Sequence, residues 1–161
     1  ALAVALLKRR GFKAEDFAEY HPSGSLGARL LTRVKDLMHS GEALALVGLN
    51  EDMKTVIGKM TSKDVRGIAG VVDNSGHLVG SVTDGDLRRR LDKSVNPLQE
   101  KASAIMSSHP KTIDINEMAE RALFTMETHT IQSLFVVDSA VDKNKPVGLI
   151  HLQDLLKAKI R

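Results

Sequence analysis

Short apolar runs alternate along this chain with segments in which apolar residues recur every three or four positions. Leu44–Gly48 and Ile68–Val72 are apolar runs of strand length. Between them, the apolar residues from Met53 to Met60 fall on one face of a predicted helix, and Asn50 is a candidate N-cap. The pattern therefore predicts a strand, an amphipathic helix and a second strand, as in a mixed α/β domain.

The next residues predict a hairpin and a second helix. Asp73–Gly76 is rich in the Asp, Asn and Gly residues that tight turns require, and it is followed by the apolar run Leu78–Val82. Asp84–Leu91 has acidic residues first and arginines last, which is the arrangement that the helix dipole favours. The predicted order of elements is β-α-β-β-α.

This unit occurs twice, over residues 34–92 and 102–160. Identical residues recur 68 positions later, as Gly80 and Gly148 or Asp86 and Asp154 do, and the shift changes only slightly between them. The second copy has its predicted elements at Thr112–Ile115, Met118–Thr128, Ser133–Val137, Pro146–Ile150 and Gln153–Ile160. A unit of this length that recurs only once indicates a paired module and not a solenoid.

The predicted domains are residues 34–95 and 96–161, preceded by a segment, 1–33, that does not fit the repeat. An amphipathic stretch, Ala28–Met38, is expected to lead into the first copy. One copy alone is of marginal size, so the two sheets are expected to pack face to face with pseudo-twofold symmetry. The residues expected in the shared core are Val71, Val72, Val82, Val136, Val137 and Ile150.

Composition narrows the function classes. The 161 residues include 42% apolar residues and no cysteine, which excludes disulfides, thiolate chemistry and cysteine-ligated metals, and we expect no metal site. No apolar run approaches the roughly 20 residues of a membrane span. The chain starts in mid-pattern at Ala1 without a signal peptide, so we expect a piece of a larger cytoplasmic protein.

The net positive charge of the chain comes from its first forty residues. Residues 1–40 hold seven Lys or Arg and four Asp or Glu, whereas the remainder holds sixteen of each. The cluster Lys8–Arg10 has no aromatic residue interleaved with its basic residues, although nucleic-acid surfaces usually combine the two. A solvated helix end is the favoured interpretation, and no nucleic-acid partner is expected.

The junction between the third strand and the second helix is the first candidate site. Thr83 and Asp86 lie one helical turn apart, so a hydroxyl suited to a phosphate and a carboxylate suited to a ribose diol could face one crevice. Asp84 and Arg88 belong to the same candidate set. The structural alternative is that Thr83 caps the helix and Asp86 completes a capping box.

Two further places carry candidate chemistry. Arg88, Arg89 and Arg90 cannot all face one way, because neighbours on a helix lie about 100° apart. One or two could reach a polyanionic ligand; otherwise they form a favourable basic helix end. His21 precedes a proline and a Gly/Ser-rich turn, so it is either a general acid–base or a linker residue.

The repeated unit resembles the cystathionine-β-synthase (CBS) domain, whose marker is Gly-x-apolar-Ser/Thr-x-x-Asp. The first copy reads Gly80–Asp86 and the second Gly148–Asp154, with His151 in place of the hydroxyl residue. The resemblance implies a tandem CBS pair that binds adenosyl or other nucleotides in two clefts. It implies that His151 and Asp154 are the ligand residues of the second junction. Because His151 replaces the usual hydroxyl residue, we do not expect the second junction to bind an adenine nucleotide in the standard way.

The segment His21–Gly27, followed by two CBS copies and the string Thr83–Arg89, resembles the arabinose-5-phosphate isomerases. These have a sugar-isomerase (SIS) domain before a CBS pair. They interconvert ribulose 5-phosphate and arabinose 5-phosphate for the synthesis of Kdo, a sugar of lipopolysaccharide and some capsules. The resemblance implies that residues 1–33 end the SIS domain and that His21 is catalytic in the parent enzyme, which needs no cofactor. The fragment alone is expected to be inactive.

The expected role of the pair is therefore ligand sensing and self-association. The expected regulatory ligand is CMP-Kdo, the activated end product of the pathway, with AMP or ATP as the alternative. We expect a dimer of CBS pairs formed through the helices, within a tetrameric parent, and the candidate contact residues are Met53, Met60, Leu123 and Met126. Two other functions stay open: a CBS pair from an unrelated host protein, and a purely structural dimerisation module.

Overall fold

The computed structural model describes residues 31–62 and 65–160, and it confirms the predicted mixed α/β fold. The first unit consists of β1 (Leu46–Gly48), α1 (Met53–Met60), β2 (Ile68–Val72), β3 (Leu78–Thr83) and α2 (Asp84–Leu91). A connecting segment holds α3 (Ala102–Ile105) and β4 (Ser107–Ser108). The second unit consists of β5 (Thr112–Asp114), α4 (Ala119–His129), β6 (Ser133–Asp138), β7 (Asp142–His151) and α5 (Leu152–Lys157).

The two sheets repeat one pairing scheme. In the first, β1 runs parallel to β2, and β3 runs antiparallel to β2 with Ile68 opposite Thr83. In the second, β5 runs parallel to β6, and β7 runs antiparallel to β6 with Ser133 opposite His151. The start of each central strand therefore lies beside the strand-to-helix junction of its own unit.

One local prediction is corrected. Asp52, and not Asn50, caps α1, because its Oδ1 accepts a hydrogen bond from the Thr55 amide at 2.8 Å. The chain first turns back on itself, with the Glu51 amide donating to the Gly48 carbonyl, so the helix begins later. Within the described part of the stretch Ala28–Met38, Val34–Asp36 forms a short 3-10 helix.

The first residues of each copy fold onto the opposite unit. β4 pairs with β3 of the first unit, and the equivalent residue His39 pairs with Leu149 in β7 of the second. Ala102 and Ile105 are buried in the first core, and Val34 is buried in the second. The periodicity of the sequence shows which residues are equivalent, but it does not show onto which copy they fold.

The expected shared core is wrong in detail. Val71 and Val82 are buried under the helices of the first unit, and Val136 and Ile150 under those of the second, so these four residues belong to separate cores. Val137 is buried and Val72 half-buried. Successive residues of a strand point to opposite faces of the sheet, so adjacent valines cannot all face one core.

The opposite faces of the two sheets meet through a smaller apolar cluster of Ile68, Phe135 and Leu149, with Leu44 and Leu78 packed against it. Gly70 lies beneath this contact, where a Cβ atom would come within 2.9 Å of the Phe135 ring. The absence of a side chain at Gly70 lets the second unit approach. The sheet-to-sheet packing thus follows the prediction, with different residues.

The three methionines and the leucine that were candidates for a dimer contact are interior instead. Met53 and Met60 lie in the first core, and Leu123 and Met126 in the second. They fill gaps around α1 and α4 and present little surface to another molecule. Among the described residues, no helix is both long enough and apolar enough to cross a membrane.

Candidate functional site

A cleft of about 570 Å³ opens between the two units, next to the first residues of their central strands, β2 and β6. Its walls come from the loop before β2, the β3–α2 junction, the residues after β4, the loop before β6 and the end of β7. Small-molecule sites of this kind usually measure about 300–1,000 Å³. The cleft is therefore large enough for a ligand of nucleotide size.

The β3–α2 junction contributes Thr83, Asp84 and Arg88 to the wall. The Thr83 hydroxyl donates to Asp86 Oδ2 at 2.6 Å and accepts from the Asp86 amide at 3.3 Å. Its proton is therefore directed at Asp86. In this arrangement Thr83 can offer an incoming ligand a lone pair but not its proton.

Asp86 completes the capping box, as the structural alternative predicts. Its Oδ2 also accepts from the Thr83 amide at 2.8 Å, while its Oδ1 accepts from Arg89 at 2.5 Å and from Ser107 at 3.4 Å. Burial raises the pKa of Asp86, but the hydrogen bonds from Thr83 and the contact with Arg89 outweigh it, so the pKa lies below its ordinary value. Asp86 is not among the residues that line the cleft, and its ribose-binding role stays a prediction.

The three consecutive arginines point to different partners. Arg88 lines the cleft, Arg89 pairs with Asp86, and Arg90 pairs with Glu100. This separation follows from the rotation of about 100° per helical residue. Only Arg88 of the three is placed to meet a ligand in the cleft.

The second junction faces the same cleft through His151, which is 8% exposed. Burial lowers the pKa of His151 to about 4, and the nearby charge of Arg66 adds to the effect. The imidazole is therefore neutral at neutral pH, and it offers a ligand a hydrogen bond but no positive charge. Residues of both copies thus line one cleft.

Asp154 lies outside the residues that line the cleft. Its Oδ1 accepts from Arg66 Nη1 at 2.9 Å, and its Oδ2 accepts from His39 Nε2 at 3.0 Å and from the His151 amide at 3.3 Å. Burial raises the pKa of Asp154, but the contacts with His39 and Arg66 outweigh it, and the pKa lies below its ordinary value. Its ligand-binding role also stays a prediction.

Sequence reasoning missed two cations of the cleft, Arg66 and Lys111. Arg66 lies two residues before β2, and Lys111 one residue before β5. The hairpin register could have placed Arg66, because the start of β2 pairs with the end of β3 at Thr83. No equally local signal identifies Lys111, which depends on how the second sheet is assembled.

The side chains that line the described cleft favour an anionic ligand. The lining includes three cations, Arg66, Arg88 and Lys111, and a single carboxylate, that of Asp84. Fixed positive charges in a concave site attract and orient phosphate groups. Two of the first backbone amides of α2 are not free to bind an anion, because the Asp84 amide donates to the Gly67 carbonyl and the Asp86 amide donates to the Thr83 hydroxyl. Anion binding here therefore relies mainly on side chains.

The structure does not test the predicted catalytic residue. His21 lies outside the described residues. Among residues 31–62 and 65–160, no group of three His, Asp or Glu side chains is placed to hold a metal ion.

Comparison with known proteins gives the same two resemblances over different lengths. The CBS domain family model matches residues 34–93 and 102–161. The arabinose 5-phosphate isomerase KdsD of Pseudomonas aeruginosa is 44% identical over 160 residues, which are 99% of this chain and 48% of that protein. The arabinose 5-phosphate isomerase KpsF of Escherichia coli is 40% identical over 154 residues, which are 96% of this chain and 45% of that protein. The chain therefore spans about half the length of the curated relatives it matches.

Solved structures support the fold. A CBS domain protein from Pyrobaculum aerophilum, complexed with AMP, superposes with a TM-score of 0.67 at 21% identity. The superposition covers 77% of this chain and 90% of that one. At this identity the likeness establishes a shared fold.

Proposed function

The chain belongs to the CBS domain family, and from that premise we propose that it is the ligand-sensing CBS pair of an arabinose 5-phosphate isomerase. Relatives with that name align with almost the whole chain, including the segment around His21 that precedes the first copy. The parent enzyme would interconvert ribulose 5-phosphate and arabinose 5-phosphate for Kdo synthesis in the cytoplasm. Aldose–ketose isomerisation moves a proton between two carbons, and His21 would act there as acid–base.

The cationic cleft is the observation that carries the sensing role. It brings Arg66 and Arg88 of the first copy and Lys111 and His151 of the second into one cleft. A ligand that bears phosphate would pair with the cations and cross the boundary between the copies. Binding of such a ligand would change the relative position of the two copies, so that the extent of the change would depend on the ligand concentration.

The preferred ligand is CMP-Kdo, which carries a phosphodiester and the carboxylate of the sugar. As the activated end product of the pathway, it is a logical feedback signal. AMP or ATP is the second candidate, and the complex of the Pyrobaculum protein with AMP favours it. A neutral His151 accepts or donates one hydrogen bond, which suits a sugar hydroxyl or a base edge as well as a phosphate.

Calorimetry on the 161-residue chain tests the proposal. CMP-Kdo or AMP is expected to bind wild type and to bind Arg88→Gln about tenfold or more weakly, since a charge-assisted hydrogen bond is worth about 1.5–3 kcal/mol. Arg90→Gln is the matched control, because Arg90 is two positions away and pairs with Glu100. If neither nucleotide binds, or if both variants bind like wild type, the cleft is not a sensor and the structural dimerisation function is favoured.

A further inference from the structure

Arg66 stands between the ligand cleft and the second junction. It lines the cleft of about 570 Å³ and also a smaller cavity of about 250 Å³ whose lining includes Gln153. Its Nη1 donates to Asp154 Oδ1 at 2.9 Å, and its side chain is 32% exposed. The same guanidinium therefore serves the cleft and an ion pair that joins the two copies.

Asp154 is held by groups from outside its own copy. Its side chain is 10% exposed, and its ion-pair partners are Arg66 from the loop before β2 and His39 from the first residues of the first copy. The equivalent residue Asp86 is different, since it pairs with Arg89 on its own helix. Asp86 also accepts a hydrogen bond from Ser107 of the second copy at 3.4 Å, so both motif carboxylates contact the other copy, but of the two only Asp154 forms ion pairs with it.

Resting on the proposed function, we propose that Asp154 competes with the anionic ligand for Arg66, so that ligand binding opens the Arg66–Asp154 ion pair between the copies. A guanidinium presents its N–H groups as a fork that fits a phosphate with two parallel hydrogen bonds. Taking up that geometry in the cleft turns the fork away from Asp154. Asp154 keeps His39 and the His151 amide as partners, which lowers the cost of losing Arg66.

This arrangement couples ligand binding in the cleft to the contact between the two units. Without ligand, Arg66 ties the loop before β2 to the start of α5. With ligand, that tie is exchanged for one between Arg66 and the phosphate, and His39 remains the ion-pair partner that the first copy supplies to Asp154. Asp154 is then a residue that sets ligand affinity through Arg66 without touching the ligand.

A double-mutant cycle measured by calorimetry with AMP, and in a second series with CMP-Kdo, tests the proposal on the 161-residue chain. Asp154→Asn is expected to bind about fivefold more tightly, because a partly exposed ion pair worth up to about 1 kcal/mol no longer competes. Arg66→Gln is expected to bind about tenfold or more weakly. In the Arg66→Gln background, Asp154→Asn should have no further effect.

The outcomes separate the explanations. Weaker binding by Asp154→Asn would mean that this carboxylate contacts the ligand directly, and a gain that persists in the Arg66→Gln background would mean simple charge repulsion; either result overturns the proposal. Glu100→Gln, which removes the carboxylate of the Arg90 pair, is the matched control and should bind like wild type. If neither the wild type nor any of the three variants of the cycle binds, the proposed function fails as well. If they bind but the effects of the two substitutions are independent, only this inference fails.

A measurement on the wild type covers the case in which Asp154→Asn does not fold. The carboxyl carbon resonance of Asp154 can be followed by NMR against pH, with and without AMP. Loss of the Arg66 contact removes one of the groups that lower this pKa, so saturation with AMP is expected to raise it. An unchanged or lower pKa in the presence of bound AMP would overturn the proposal.

Discussion

Removal of the Phe135 ring tests whether the two units are held together where the structure places the contact. Phe135 is 2% exposed and lies between the sheets with Ile68 and Leu149. Loss of about 150 Å² of buried apolar surface costs about 4 kcal/mol, within the range of about 3–5 kcal/mol for Phe→Ala. Because Phe135 also borders the cleft, water can enter the vacated space. We therefore expect about 3 kcal/mol, the lower end.

Phe124→Ala is the matched control for Phe135→Ala. Phe124 is 56% exposed on α4, with the Arg121 guanidinium 5.3 Å from its ring centroid. An exposed contact of this kind is worth about 0.5–1 kcal/mol, so Phe124→Ala should cost no more than that. The assay is urea unfolding followed by circular dichroism at fixed pH, with the free energy extrapolated to water.

The comparison between the two phenylalanines decides the result. A loss in Phe135→Ala close to that in Phe124→Ala would refute the sheet-to-sheet contact as the main tie between the units. The expected free energy of a domain is about 5–15 kcal/mol, so Phe135→Ala should remain folded in water. A change from one transition to two in Phe135→Ala would show directly that this ring couples the unfolding of the two units.

Three further predictions concern single residues. Thr83→Val should lower the free energy of unfolding by about 1 kcal/mol in urea titrations, since valine cannot cap α2, while Thr83→Ser should keep the cap to Asp86 and most of the stability. The pKa of His151 is about 4 in the folded chain, below its ordinary value, so the unfolded chain binds more protons and stability should fall as the pH drops from about 6.5 to about 4. His151→Gln should flatten that slope in unfolding measured at several pH values. In the parent enzyme, His21→Ala should lower isomerase kcat by about 10²–10⁴-fold in a coupled assay, and the 161-residue chain alone should show no turnover; full activity of the variant would make His21 a linker residue.

Local patterns predicted the elements well because local forces decide them. Ile68–Val72 and Asp84–Leu91 have the bounds that the apolar run and the charge gradient indicate. β7 begins at Asp142, four residues before the predicted Pro146, because its polar first residues continue the ladder with β6 beyond the apolar run. Apolar pattern alone does not mark the exposed end of a strand.

Long-range contacts were beyond sequence reasoning. Equivalent spacing identified Thr83 and His151 as matching positions, and only the assembled structure shows that both face one cleft. The ion pair between Arg66 and Asp154 spans 88 positions and depends on how the two copies meet. The capping box of Thr83 and Asp86 was open to prediction because its four residues are contiguous.

Amide NMR of the 161-residue chain during titration with CMP-Kdo or AMP tests the central claim most directly. If the cleft between the copies is the sensor, the resonances that move should come from both units at once. Thr83 and Arg88 should shift on one side, with Lys111, Thr130 and His151 on the other. The account would be contradicted by shifts confined to one unit or by shifts of residues that do not line the cleft. It would also be contradicted by the absence of shifts at ligand concentrations that saturate known nucleotide sensors.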